Sequence, residues 1–324
     1  MNRDKVLVTG ASGFLGSHIC DALHEAGYEA HALVRKTSSR DWLRHDWINI
    51  HTAELDDVKG LSEILKGKYA VIHAAAALHG AADEVLEYVN VTCTKLMAEQ
   101  AVKAGIRKFV FISSNAATEP GSSIYPKKEP GEDNPVSPYG MTKKRAEEVL
   151  SRYHKKMKVV NLRYVVIYGP RDKHLVRLFK LVASPVTPIL GKYPIYMPSV
   201  YVKDGARAAV SALSANVPSG STYYISDGMP YTFETLYDMI ASAIGIKLRF
   251  IRIPIGLAAF FMGLVFGSKK TDVAFTAKNI RDFRNRFRLI SPEKAIRELD
   301  WKPEVMAWDG FRETVQWYRD QGWL

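Results

Sequence analysis

Three side chains in this sequence could move a proton to or from an oxygen atom: Ser114, Tyr139 and Lys143. Tyr139 and Lys143 stand four residues apart, so on a helix they share one face. A free phenol has a pKa of ~10 and is a poor base near neutrality. An ammonium group ~4 Å away, at an effective dielectric of ~20, is worth ~4 kcal/mol. That would bring the phenol toward working pH, where proton transfer is efficient. A serine hydroxyl at a strand end would hold the oxygen of a reacting alcohol or ketone while hydride moves at the carbon. Taken alone, Tyr139 and Lys143 also fit an ordinary surface pair, so the surrounding elements must decide.

The first of those elements is Lys5 to Val8, a short apolar run that reads as a buried strand. It leads into Thr9-Gly10-Ala11-Ser12-Gly13-Phe14-Leu15-Gly16, and an amphipathic helix opens at about Gly13. A strand, a glycine turn and a helix start are the parts a pyrophosphate needs. Gly10 permits the tight turn, Gly13 lets the anion approach the backbone, and Gly16 lets the helix pack against the strand. The unpaired N–H groups of the helix start and its dipole attract the charge. Ser12, Phe14 and Leu15 lie in the same turn and are expected to touch the dinucleotide with it.

Tyr28 to Val34 is the second strand, and Arg35-Lys36 follow it. An acidic residue there would bind the adenosine ribose hydroxyls of NAD; a basic pair suits the 2′-phosphate of NADP, leaving NAD as the alternative. Ile48 to His51 is a third strand, with Glu54 and Leu55 placed beyond it to meet an adenine ring. Asp56 or Asp57 caps the next helix, which runs through Leu65. Tyr69 to His73 runs into Ala74, Ala75 and Ala76, whose small side chains let a cofactor lie close. A long helix spans roughly Ala82 to Ala104, and Lys108 to Ser114 is the fifth strand. After an irregular stretch from Asn115 to Val136, Ser137 caps a helix with Pro138 in its first turn, so the helix begins right at Tyr139. Val159 to Ile167 is a sixth strand.

This alternation predicts an α/β fold, a doubly wound parallel sheet of the Rossmann type. Gly10, Arg35, Glu54, Ala74 and Ser114 all fall at carboxyl ends of strands, the rim where such sheets bind ligands. The dinucleotide-binding part is expected to span 1–167, with about 201–228 returning to it through a strand at Thr222 to Ser226. A smaller, mostly helical lobe for the substrate is expected from 168–200 and 229–324. Ser184 to Ser199 is proline-rich and reads as irregular. Ile253 to Phe266 is strongly apolar but too short to span a bilayer, and it is expected to line the substrate pocket; an interfacial helix on a membrane is the disfavoured alternative.

The 324 residues carry a formal net charge of +11, spread along the chain without any nucleic-acid motif. Most of it reads as solvated surface, with an anionic cofactor among its partners. The two cysteines, Cys20 and Cys93, cannot build a disulfide framework, and a reducing, cytoplasmic setting is expected, with no leader ahead of the first strand. The nine histidines show no ligand spacing, so no metal site is expected.

These motifs resemble the extended branch of the short-chain dehydrogenase/reductase family. The resemblance is carried by the glycine turn 9–16, Ile72-His73-Ala74-Ala75-Ala76, Asn90-Val91, Ser113-Ser114, Tyr139-Gly140-Met141-Thr142-Lys143, Leu162-Arg163, Tyr168-Gly169-Pro170 and Val202-Lys203-Asp204. It covers nearly the whole chain, up to a closing helix with Trp317-Tyr318-Arg319. It implies Ser114 as ligand of the substrate oxygen, Tyr139 as acid/base, and Lys143 as its activator and a ribose ligand. Asn90 matches the family's helix asparagine, counted with the cofactor-binding residues. The chain departs from the pattern at Ala116-Ala117-Thr118-Glu119 and at Cys93, where a glycine is usual. Tyr164-Val165-Val166 lacks the asparagine of nucleotide-sugar epimerases, and Ile189 to Val200 lacks their arginine-bearing segment. The resemblance is therefore nearer to dihydroflavonol-reductase-like and 3β-hydroxysteroid-dehydrogenase-like members. It implies an NADP-dependent oxidoreductase acting on an apolar secondary alcohol or ketone, and leaves a homodimer open. The alternatives are a nucleotide-sugar epimerase or dehydratase with bound NAD, and a non-catalytic NADP-sensing binding protein.

Overall fold

Seven short strands, buried and apolar toward the middle of the sheet, form one parallel sheet in the computed structural model, which describes residues 4–129, 131, 133–184, 186–256 and 286–324. In chain order its strands are β1 (Lys5–Thr9), β2 (Glu29–Val34), β3 (Asn49–Thr52), β4 (Ala70–His73), β5 (Lys108–Ser114), β6 (Lys158–Tyr164) and, after an excursion, β10 (Ser221–Ile225). Their spatial order is β10-β6-β5-β4-β1-β2-β3. The order reverses between β1 and β4, and such a switch point opens a crevice at the carboxyl ends of the strands.

Helices cover both faces. On one side α1 (Phe14–Glu25) and α7 (Val202–Ser214) bury Ile19, Leu23, Ala206 and Ala209 against the sheet. On the other side lie α2 (Val58–Leu65), α4 (Cys93–Lys103) and α5 (Pro138–Ser151), which bury Leu61, Met97, Ala101 and Leu150. Fully covered parallel strands explain why β1, β4 and β5 read as continuous apolar runs rather than alternating ones. Asp57 caps α2 by accepting the Gly60 N–H at 2.9 Å.

The segment expected as one helix from 82 to 104 is divided. Helix α3 (Asp83–Glu87) passes into a π-helical turn, Tyr88–Thr92, before α4. The cause is Asn90, whose side chain bonds Ala77 and Thr142 and so fixes the phase of that turn. The sixth strand also ends early: Val165 departs from the sheet, and β7 (Val166–Tyr168) pairs with β9 (Ser199–Tyr201). The proline-rich stretch holds a strand, β8 (Val186–Leu190), beside β11 (Arg249–Ile253). A two-stranded sheet has only edge strands, where a proline such as Pro188 is tolerated.

A second cluster of aromatic side chains ties these later segments together. It gathers α6 (Val176–Val182), α8 (Phe233–Ile244) and α10 (Ala307–Asp320) around Tyr168, Phe179, Tyr201, Phe311 and Tyr318. Tyr168 stacks on Phe311 with ring centroids 4.2 Å apart. Helix α9 (Glu293–Glu298) lies against β10. Most of the apolar stretch 253–266 lies outside the described residues. Among the described residues no helix is long and apolar enough to cross a membrane.

Candidate active site

The carboxyl ends of β1, β2, β4, β5 and β6 open onto a cleft of about 700 Å³. Its floor is the glycine turn. Gly10 has φ +65°, and a Cβ there would stand 2.8 Å from the Ala75 nitrogen. A Cβ on Gly16 would stand 2.2 Å from the Gly10 carbonyl oxygen. Ser12, Gly13, Phe14 and Leu15 line the cleft with them. Gly13 is the N-cap of α1 and supplies no side-chain acceptor, so the first-turn N–H groups face the cleft with no cap of their own. That is the arrangement an anion requires, and the residues present fit the pyrophosphate of a dinucleotide.

The adenosine of such a dinucleotide would lie at the end of the cleft beyond β2 and β3. Arg35, Glu54 and Leu55 line it, as does Ser38, whose Oγ accepts the Arg35 N–H at 3.2 Å. Lys36 is exposed and is not among the lining residues. Ala74, Ala75 and Ala76 form the wall after β4. Asn90 does not line the cleft; it is buried with its amide fully used, accepting the Ala77 N–H at 2.8 Å and donating to the Ala77 carbonyl and Thr142 Oγ1.

A chain of hydrogen bonds stiffens that wall. Ala75 N–H donates to Thr9 Oγ1, which lies 2.8 Å from His73 Nδ1; His73 Nε2 lies 3.0 Å from Thr94 Oγ1, and Thr94 donates to the Asn90 carbonyl. Since Thr94 spends its proton on Asn90, His73 must donate from Nε2 and accept at Nδ1. Burial, with the Lys143 charge adding to it, drops the His73 pKa to about 3, so the ring is neutral as this chain demands.

At the other end of the cleft stand Ser114, Tyr139 and Lys143. Ser114 ends β5 and hydrogen-bonds the Tyr139 phenol. Ser137 caps α5 by accepting the Gly140 N–H at 3.1 Å, which starts the helix at Pro138. A Cβ on Gly140 would fall 2.0 Å from the Ala116 carbonyl oxygen, so only glycine lets α5 approach the turn that follows Ser114. Lys143 is buried, donates to the Ile112 carbonyl at 2.7 Å and lies over the Phe111 ring.

The electrostatics differ from the expected pairing. Burial raises the Tyr139 pKa to about 12, against a lowering by the Ser114 hydrogen bond. Burial lowers Lys143 to about 8, with the Glu147 charge opposing. The reason is geometric: the ammonium faces a strand carbonyl, and desolvation outweighs its attraction for phenolate. Glu147 is itself held, accepting from Ser113 Oγ at 2.6 Å and from Arg163 at 2.9 and 2.6 Å. Arg163 also grips Asp133 at 2.6 and 2.8 Å, tying the long loop to the helix that carries Tyr139.

Further residues reach the cleft that the sequence did not place there: Asp56, Tyr88, Cys93, Val165, Ile167 and His174. A recess of about 40 Å³ adjoins Tyr139, lined by His79, Asn115, Thr118, Glu119, Lys127 and Arg288. The His79 ring packs on the Tyr139 ring with centroids 4.2 Å apart. Among the described residues no group of three or more His, Cys, Asp or Glu could hold a metal ion.

Residues 6–226 match the model of the NAD dependent epimerase/dehydratase family. The chain is 28% identical to the ceramide reductase of Caulobacter vibrioides over 99% of this chain and 96% of that one. It is 24% identical to the decarboxylating sterol-4-alpha-carboxylate 3-dehydrogenase of Saccharomyces cerevisiae, over 98% and 96%. Its fold superposes on the UDP-glucose 4-epimerase of Thermotoga maritima, solved with UDP-glucose, with a TM-score of 0.80 and 25% identity, covering 98% of this chain and 99% of that one.

Proposed function

Because the chain belongs to the NAD-dependent epimerase/dehydratase family and is therefore an enzyme, we propose that it is an NAD(P)-dependent oxidoreductase acting on an apolar secondary alcohol or ketone. The observation that carries this reading is the placing of charge. Among the described residues lining the cleft, full positive charge sits on Arg35, at the adenosine end, and on Lys143, beside Tyr139. Among these described residues no further cation is left for the diphosphate of a nucleotide sugar, while Val165 and Ile167 add apolar surface to the same cleft. The similarity to a ceramide reductase and to a sterol 3-dehydrogenase points to the same class of substrate.

The bound nicotinamide supplies or accepts the hydride; the chain's residues handle the oxygen and its proton. Ser114 and Tyr139 both donate hydrogen bonds toward the substrate oxygen. At neutral pH the raised pKa keeps Tyr139 protonated, so in reduction it is the acid that neutralises the oxygen as the carbon receives hydride. Lys143, though buried, keeps a positive charge at neutral pH and is the ribose ligand. Glu147 opposes the loss of that charge. NADP is the preferred cofactor, supported by Arg35 with Ser38 at its side.

A nucleotide-sugar epimerase is the second reading. It draws support from Arg288 in the recess beside Tyr139 and from the likeness to an epimerase solved with UDP-glucose. One assay separates the two. NADPH oxidation is followed with a panel of long-chain and sterol ketones, and UDP-glucose to UDP-galactose conversion is followed without added cofactor. Net NADPH oxidation with a lipophilic ketone is the expected result. Sugar interconversion without net oxidation would overturn it.

A further inference from the structure

Two walls of the cleft touch each other across its adenosine end. Tyr88, in the π-helical turn, donates its phenolic O–H to Asp56 Oδ2 at 2.6 Å. Asp56 directly follows Leu55, on the opposite wall, and both partners line the cleft. The contact joins elements far apart in sequence, 32 residues, and no other hydrogen bond joins these two segments among the described residues.

The helix is distorted where it makes this reach. Residues five apart on an α-helix point ~140° away from each other. In the wider turn the Cys93 N–H bonds the Tyr88 carbonyl, and both residues line the cleft. On the inner side Asn90 locks the turn through Ala77 and Thr142. Single π turns cost hydrogen-bond geometry and recur where a side chain must be aimed. Asp56 also bears on the buried Cys93 thiol, whose pKa burial first and then this carboxylate push up to about 11. Tyr88, Asp56 and Cys93 thus form one cluster at the rim.

We propose that Tyr88 and Asp56 form a clasp over the adenosine half of the dinucleotide site, opening for cofactor entry and slowing its release when closed. The inference rests on the reading of this cleft as a nicotinamide-cofactor site. A phenol donating to a carboxylate is a charge-assisted hydrogen bond. It is also solvent-exposed, with Tyr88 47% accessible, so it can open without unfolding its neighbours. The backbone turn holding Tyr88 is independently anchored by Asn90, so removing the phenolic oxygen leaves the wall in place.

The test is release of NADPH and NADH from the full chain, followed by stopped-flow fluorescence after mixing with excess unlabelled oxidised cofactor. Tyr88→Phe and Asp56→Ala should each speed release about three- to tenfold, the size of one such hydrogen bond. The double variant should be no faster than either single one, because both remove the same contact. Asp56→Asn, which keeps an acceptor, should fall between the parent and Asp56→Ala. Release rates in both single variants equal to the parent's would overturn the clasp, and so would effects that multiply in the double variant. A parent that binds neither cofactor would overturn the clasp together with the cofactor reading. Tight parental binding with indifferent variants overturns the clasp alone.

Discussion

Tyr139 carries the most direct prediction. Tyr139→Phe keeps the ring that packs on His79 and removes only the hydroxyl bonded to Ser114. Turnover should fall about a hundredfold to ten-thousandfold, the usual weight of acid/base catalysis, while folding and cofactor binding persist. Single-turnover hydride transfer measures it; a rate within a few-fold of the parent would assign the proton to another group. The pH profile belongs to Lys143, whose pKa burial lowers to about 8. Turnover in the reductive direction should decline as pH rises through about 8, where the ammonium is lost, although Tyr139, at about 12, is still protonated. A profile flat to pH ~10 removes Lys143 from that role. Arg35→Ala should weaken NADPH binding far more than NADH binding, read by paired titrations; equal losses, or a parent that binds NADH as tightly, end the 2′-phosphate assignment. Ser114, Tyr139 and Lys143 were legible because a strand end, a helix cap and a spacing of four each have a sequence signature. The direction of the Lys143 ammonium was not, since its partner is the Ile112 carbonyl, 31 residues away. Tyr88 escaped because a π turn leaves no mark in hydrophobic periodicity, and Asp56 and Cys93 drew notice only as a candidate helix cap and as a departure from a pattern.

At the scale of elements, the approach of α5 to the turn after β5 is what joins Ser114 to Tyr139. Gly140 makes that approach, since any Cβ would meet the Ala116 carbonyl at 2.0 Å. Gly140→Ala should therefore separate Ser114 from Tyr139 and cost activity well beyond its cost in stability. Ser137→Ala is the control: it removes only the cap bond to Gly140 and should cost about 0.5–2 kcal/mol in thermal stability with activity largely kept. If Gly140→Ala retains full turnover, the close approach is not what sets the pair. The central strands of the main sheet, β1, β4 and β5, were readable because burial on both faces makes each a nearly continuous apolar run. Strand β8 was not, for Pro188 and the short edge pairing with β11 give it no such pattern. The break after Tyr164 was hidden as well, because Val165 and Val166 continue the apolar run of β6 while the chain turns to a different sheet.

Across the whole molecule, stability should depend on acid. His18 and His73 are buried and their pKa values fall to about 3, by desolvation first and then by the Arg171 and Lys143 charges respectively. Unfolded, each would take up a proton below pH ~6.5. The unfolded state then binds more protons, so this stability is complete above pH ~6.5 and is lost steadily as pH falls toward 3. Thermal melts between pH 7 and 4 measure the slope. A midpoint that does not move over this range would mean that neither ring is held neutral in the folded chain. The sheet has a consequence of another kind. Its seventh strand, β10, lies beside β6 but comes 57 residues later in the chain, after β7, β8, β9 and α7 have been made (221 − 164 = 57). On the ribosome, where synthesis runs at about 5–20 residues per second, β6 therefore waits several seconds as an open edge offering unpaired N–H and C=O groups. That interval is when a nascent chain is most exposed to pairing with a neighbour on the same messenger, and anything that slows translation between 165 and 225 lengthens it.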